Sequence, residues 1–329
     1  MQIREASAAD IPTIVSLLKT SLGESLLPKS SVYWNWKHEN NPFGRSPVYL
    51  AWEGDQLAGV RAFMRWEWIN DKNEVFKAVR AVDTATHPDF QGKGIFKKLT
   101  LGLVDACTKA GDDFVFNTPN QNSMPGYLKM GWEKAGKLPL CISFARPFGM
   151  MQKLMGKVSQ PSGTVGQSMS ETLSHPGLPM LLKQFHQQTS NITTRYSVDF
   201  LRWRYQAVPI VEYFVVADTE GSQMNALLFG RLKDSRLGRE FRITDCFVSG
   251  IHSPKKFRTL VHESIKASQA DYVTIAATSG DEQKRIAGML RWRLPVGPIV
   301  TVRALNYTAL EQLRNFSQWS PGIGDLELF

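Results

Sequence analysis

Cysteine is scarce in this chain: there are three in 329 residues, Cys107, Cys141 and Cys246, and none is close to another. That spacing excludes a zinc ribbon or a disulfide-stapled scaffold and points to a reducing compartment. Histidine is scarce as well, six residues scattered along the chain, so no metal site is expected. No apolar run approaches the roughly 18–20 residues of a membrane-spanning helix. The opening MQIREASAADIPTI carries charges where a secretion signal has its apolar stretch. A cytoplasmic protein is expected. Acidic residues are outnumbered by basic ones, 30 to 39, for a net charge of +9. The excess favours anionic partners such as phosphorylated cofactors. No basic block or nucleic-acid signature accompanies it, so nucleic acid is not an expected partner.

What is present is a globular composition, 43% hydrophobic and 21% charged, at a length that suits two domains. IREASAADIPTIVSLLKTSL reads as a short strand, then a helix with Ile11, Ile14, Val15 and Leu18 on one face. VYLAWEGDQLAGVRAFMRWEWI reads as a hairpin turning at Glu53-Gly54-Asp55, and FKAVRAVDTATH as a further strand. Ile95, Leu99, Leu103 and Cys107 form one helical stripe that ends near Gly111. DDFVFNTP, NSMPGYLKMGW and LPLCISF add a strand, a short helix and a final strand pair. Residues 1–145 are therefore expected to be a mixed α/β domain. Residues 146–190 change character. The Met-rich, basic FGMMQKLMGKV suits helix packing better than peripheral contact with a membrane or cover for an acyl pocket, and a polar loop follows it.

From 191 to 329 the pattern partly repeats. Trp36-Lys37 and Pro42 are echoed by Trp203-Arg204 and Pro209, and Asp83 by Asp245. DDFVFNTPN is echoed by ADYVTIAATSG, and GYLKMGW by GMLRWRL. The four echoes keep their order, which predicts a duplicated domain whose second copy is degenerate. Where the first copy has THPDFQGKG, the second has GIHSPKKF, without the glycine pair.

HPDFQGKGIFKKL places a glycine-rich, basic turn directly before a helix. Such a turn suits an anion: backbone N–H groups point outward, the helix dipole is positive there, and glycine permits close approach. A plain strand-to-helix turn would read the same way from this stretch alone. The spacing excludes a P-loop, because Gly94 rather than Ser or Thr follows Lys93. It also excludes a dinucleotide fingerprint, whose third glycine is replaced by Lys97.

Gln91-Gly92-Lys93-Gly94, running into Ile95 and Phe96, resembles the acetyl-CoA pyrophosphate loop of the GCN5-related N-acetyltransferases, commonly Gln/Arg-x-x-Gly-x-Gly/Ala. Phe96 departs from the small residue of the sixth place. Asn120, Ser123, Tyr127 and Gly131-Trp132 match the spacing of that family's second motif. The resemblance covers residues 1 to 145. It implies an acetyltransferase-like fold, here as two tandem lobes, with acetyl-CoA held by Gln91–Phe96 and with Asn120 on cofactor or capping a helix. It also implies direct acyl transfer to an amine.

Direct transfer sets two chemical demands. A lysine-like amine is only about 0.1% neutral near pH 7.4, so a base or water chain must take a proton. Asp83, on the strand before the loop and on one face with His87, is the leading candidate for that base, with a structural carboxylate as the alternative. At the leaving thiolate, the resemblance implies Tyr127 as the acid. An ordinary phenol giving its proton to an ordinary thiol anion runs about 2 kcal/mol uphill, so a hydrogen bond that strengthens as charge develops is the milder form of the role. In this fold the YWNWKHENNPFG region often walls the acceptor site. Trp34, Trp36 and Asn41 could receive a small amine such as an amino sugar or amino acid there, or could simply pack and turn. Two rival readings remain: a transferase taking an aminoacyl group from tRNA, against which the intact loop argues, and a non-catalytic acyl-CoA-binding protein.

Overall fold

The computed structural model describes all residues except 24–27, 147–164, 236, 250–254, 279–291, 295–296 and 327–329. The Met-rich segment, the GIHS stretch, and most of GMLRWRL lie outside the described residues. Among the described residues no helix is long and apolar enough to cross a membrane. Among them also, no group of three or more His, Cys, Asp or Glu could hold a metal ion.

The N-terminal half follows the expected order. β1 (Gln2–Glu5) and α1 (Ile11–Leu22) come first, then α2 (Ser31–Trp34), which runs into a π-helical turn at Asn35–Glu39. The long antiparallel strands β2 (Val48–Glu53), β3 (Gln56–Ile69) and β4 (Val75–Thr86) follow. α3 (Ile95–Lys109) then crosses over to β5 (Phe114–Asn117), which lies parallel to β4, as a helical crossover permits. α4 (Met124–Lys129), β6 (Glu133–Lys137) and β7 (Leu140–Phe144) complete this half. Ile95, Leu99, Leu103 and Cys107 are buried as their spacing predicts. Gly59 lets α3 lie close on β3: a Cβ there would stand 2.6 Å from the Ile95 side chain.

The second half is built alike. α5 (Met169–Leu173), α6 (Leu178–Gln188) and the short β8 (Thr193–Thr194) precede α7 (Val198–Leu201), which again runs into a π-helical turn, Arg202–Gln206. β9 (Phe214–Glu220), β10 (Gln223–Ser235) and β11 (Gly238–Val248) are antiparallel. α8 (Lys255–Ala267) then leads to β12 (Tyr272–Ala276), parallel to β11. β13 (Trp292–Leu294), β14 (Ile299–Ala304), α9 (Leu310–Arg314) and α10 (Ile323–Leu326) follow.

The two halves exchange a strand. β14 lies between β5 and β6 in the first sheet, and β7 lies between β12 and β13 in the second. A large aromatic core joins the halves, with Trp66, Trp68 and Phe116 from one side and Phe200, Phe229 and Phe247 from the other. At its centre Trp36 and Trp203 stack at 4.8 Å, nearly parallel. Each indole N–H donates to the other's carbonyl oxygen at 2.7 Å. The echo of Trp36 by Trp203 is thus a physical pair.

The C-terminal segment enters the same interior. Arg80 donates to the carbonyl oxygens of Asp325 and Leu326, and Arg204 to that of Gly324. Tyr196 Oη lies 2.9 Å from a carboxylate oxygen of both Asp245 and Asp325. Tyr205 also donates to Asp245, and Thr194 and Gly322 to Asp325, yet two negative charges sharing one buried hydroxyl disfavour full ionisation and favour retention of a proton. Burial, and for Asp245 also the neighbouring charge of Asp325, raises both carboxyls above their ordinary range. The unfolded chain gives up these protons from about pH 4, while the fold keeps them. The folded state then binds more protons, so this cluster's contribution to stability declines as pH rises through that window. We expect the melting temperature of the wild type, minus that of Asp325→Asn, to fall between pH 4.5 and 7.5. A flat or rising difference in paired melts would refute the shared proton.

Candidate functional site

β4 and β5 pair only at Ala78, Val79 and Arg80; β4 then runs on to Thr86 past the end of β5. The 91–96 loop follows the unpaired end of β4, and α4 follows β5. In the loop, Gly92 and Gly94 both have left-handed φ, 76° and 74°. Nothing lies within 4 Å of where their Cβ atoms would be, so glycine is required by conformation and the space in front of it is open. The helix's first bond runs from Lys98 N–H to Gly94 O, leaving the amides of Ile95, Phe96 and Lys97 ahead of the intrahelical ladder. Gln91, Gly92 and Lys93 are exposed, and Lys93 Nζ stands 4.6 Å from the Phe90 ring centre. The geometry is that of an anion cradle.

Phe96 connects this loop to Tyr127, their rings meeting edge to face at 5.6 Å. Gly126 makes the room, since a Cβ there would touch the Phe96 ring at 3.3 Å. Tyr127 is buried, its ring also against Trp132, and its hydroxyl accepts a bond from Arg61 Nη2 at 2.5 Å. Asn120 serves the helix: its Oδ1 accepts from the backbone N–H of Asn122 and Ser123, and its carbonyl from Met124. These bonds close the turn that leads into α4, whose N-cap position is Ser123.

Asp83 sits on a β-bulge. Arg61 faces Thr84 and Ala62 faces Val82, which leaves Asp83 over, with φ of 40°. The bulge brings its carboxylate to Lys37 Nζ at 2.5 Å and His38 Nε2 at 2.8 Å. His38 Nδ1 in turn lies 2.9 Å from Ser46 Oγ. Burial alone would raise the Asp83 carboxyl, but the Lys37 charge and the His38 bond hold it well below the carboxylate range. Burial also lowers His38, keeping it neutral. A carboxylate so held is a weak proton acceptor, and this geometry runs against Asp83 as the base. His87 is hydrogen-bonded on both ring nitrogens, to Gln56 and to the Asp89 amide.

The three aromatic-region candidates are interior. Trp34 packs against the His38 ring at 4.1 Å. Trp36 is the partner of Trp203. Asn41 donates to the Arg65 carbonyl and accepts from Phe43 N–H, closing the turn after the π-helical segment. All three are buried and engaged, the packing-and-turn alternative. The cleft that Trp34 lines with Lys37, His38 and Asp83 has a volume of about 10 Å³, room for one water and not for a sugar.

Sequence reasoning passed over Arg61, Lys37 and His38. Arg61 had a signal: a lone charge within GVRAFM, in a strand apolar on both faces. Lys37 and His38 had none, because their partner lies 45 residues away from His38.

Residues 2–135 match a family model described as an acetyltransferase (GNAT) domain. Among curated proteins, no significant match was found. One similar solved structure is a conserved protein of unknown function from Enterococcus faecalis V583, described as a probable N-acyltransferase: TM-score 0.66, 11% identity, covering 93% of this chain and 73% of that one. A GCN5-related N-acetyltransferase from Anabaena variabilis ATCC 29413 aligns with TM-score 0.63 and 15% identity over 93% of this chain and 73% of its own. Saccharomyces cerevisiae N-myristoyltransferase with bound myristoyl-CoA aligns with TM-score 0.56 and 10% identity over 93% and 83%. At these identities the likeness is one of fold. Acyl transfer is the general chemistry such a domain supports: residues 2–135 match the GNAT acetyltransferase domain, within a chain of acetyltransferase-like, two-sheet architecture.

Proposed function

We propose that the protein is an acyl-CoA-dependent N-acyltransferase that moves acetyl from acetyl-CoA directly to a primary amine of a small molecule. The observation that carries this reading is the continuity of the turn at Gly92 and Gly94 with Tyr127, through Phe96, beyond the point where β4 and β5 stop pairing. The loop amides would hold the pyrophosphate, and the thioester would lie toward Tyr127. The amine nitrogen adds to the thioester carbonyl, the C–S bond breaks, and Tyr127 protonates or hydrogen-bonds to the leaving sulfur. The N-terminal lobe carries the cofactor. The C-terminal lobe, a degenerate copy, shapes the acceptor side. With Asp83 committed to Lys37 and His38, the amine's proton leaves through water, and Asp83 keeps the bulge in place.

Calorimetric titration of acetyl-CoA tests the cradle. Wild-type protein should bind in the micromolar range. Gly94→Asp adds a negative charge beside the pyrophosphate and should weaken binding by about 10–100-fold, the value of a hydrogen bond to a charged group. Asp takes the left-handed φ of 74° at some cost to the loop, so a thermal melt of the variant accompanies the titration to show that it remains folded. Unchanged affinity in the variant would move the cofactor off this loop. Tyr127→Phe should lower kcat by about 10²–10⁴-fold with little change in acetyl-CoA affinity. A non-catalytic acyl-CoA-binding protein would show no turnover to lose, with affinity intact in both proteins.

A further inference from the structure

The Arg61 guanidinium is buried in the middle of β3, yet its Nε and Nη1 atoms have no hydrogen-bond partner. Its Cζ lies 5.2 Å from the Phe63 ring centre, 5.5 Å from that of Phe96 and 5.4 Å from that of Tyr127. Its one hydrogen bond among these atoms is from Nη2 to the Tyr127 hydroxyl oxygen. A buried charge with idle donors is costly, and an apolar side chain of similar volume commonly serves structure as well or better. Structure alone gives no reason for a guanidinium at this place.

We propose that Arg61 is a positioning residue for acyl transfer: held among Phe63, Phe96 and Tyr127, it fixes the Tyr127 hydroxyl so that its proton faces the departing sulfur. This rests on the reading of the site given above. Arginine has donors and no acceptor, so its bond to Tyr127 Oη takes a lone pair and turns the phenolic hydrogen away. When that hydrogen passes to sulfur, the phenolate left behind stands against a fixed positive charge in a water-poor site, where such stabilisation is strongest. The step balances without another reagent. Amine nitrogen forms the C–N bond, the C–S bonding pair leaves on sulfur, and sulfur takes the Tyr127 proton. The proton shed by the amine passes through water and restores the phenol. Acyl-CoA and amine give amide and free CoA thiol. The role also accounts for Phe96: where the family's loop has a small residue, this chain has a ring that meets both Tyr127 and Arg61.

The test is a double-mutant cycle of Arg61→Met and Tyr127→Phe in the full-length protein, with Arg61→Lys alongside. CoA thiol release is followed with acetyl-CoA and glucosamine, lysine or a short peptide as the amine. Acetyl-CoA affinity and thermal melts are measured on each variant. Arg61→Met should lower kcat by about 10²-fold, the usual cost of removing a donor aimed at developing charge, with affinity changed less than about threefold. Its melting temperature should be equal or higher, and Arg61→Lys should fall between it and wild type. In the Tyr127→Phe background, Arg61→Met should cost less than about twofold more, because the two act as a unit. Full additivity, a parallel loss of affinity, or a failure of both Arg61 variants to fold would overturn the proposal and make Arg61 a structural residue. Absence of turnover by wild type on all three amines would instead overturn the acyltransferase reading, and this proposal with it.

Discussion

A polypeptide ending at residue 145 is expected not to fold, although it carries both sequence motifs and nearly every element of the first lobe. β6 is attached to its sheet through β14, which supplies buried Val300, Thr301 and Val302 between β5 and β6. Without it, β5 becomes an open edge carrying Phe114 and Phe116, the kind of edge that aggregates. β7 would lose both of its partners, β12 and β13, at the same time. The aromatic face of Trp36, Trp66 and Trp68 would be left to water. The expected result is a fragment with no cooperative melt and poor solubility, whereas residues 1–164 co-expressed with 165–329 should associate and melt as one unit. A cooperative melt for 1–145 alone would mean that β7 can fill the vacant slot in its own sheet, and that the exchange is not obligatory.

The second large effect concerns Lys37. Lys37→Met removes the ammonium that faces Asp83 at 2.5 Å and leaves the carboxylate with His38 as its remaining hydrogen-bond partner. Breaking a buried pair from one side costs about 3–5 kcal/mol, because an uncompensated charge stays behind. The cost should depend on pH. His38 is neutral in the wild type because burial lowers it; in the variant, an imidazolium would take the place of the lost ammonium. Protonation is accessible below the ordinary histidine range near 6.5, so the destabilisation should be smaller at pH 5.5 than at pH 8. Adding Asp83→Asn to Lys37→Met should recover much of the loss, since the amide keeps the left-handed φ of 40° and leaves no unpaired charge. Urea melts of the two variants at both pH values decide it. A loss below 1 kcal/mol for Lys37→Met, or no recovery in the double variant, would show that the pair is not what holds the bulge.

Much of the fold was legible because it is periodic and local. The stripe at Ile95, Leu99, Leu103 and Cys107 names a helix and its buried face without reference to anything else. The glycines at 92 and 94 mark a turn before the helix, and the structure adds that both take the left-handed backbone glycine accepts most cheaply. The Trp36 and Trp203 echo was visible as a repeat, and became a reciprocal clasp only in three dimensions. The candidate acceptor residues were read less well. Trp34, Trp36 and Asn41 have the chemistry of a sugar site and the burial of a core, and composition does not separate the two.

By itself, then, the sequence determined the alternation of strands and helices, the glycine-bearing turn before α3 with the tyrosine motif behind it, and the two-lobe order. Each of these depends on neighbours within a few residues, where sterics and spacing dictate the outcome. Tertiary structure alone decided which sheet receives LPLCISF and which receives IVTVRA, two short strands whose apolar patterns would suit either slot. It also decided the partners of Asp83 and Arg61. A bulge turned the first toward Lys37 and His38, and packing set the second beneath Tyr127. Charge pairing and strand placement are set by the sum of many distant contacts, and that sum exists only once the chain has closed on itself.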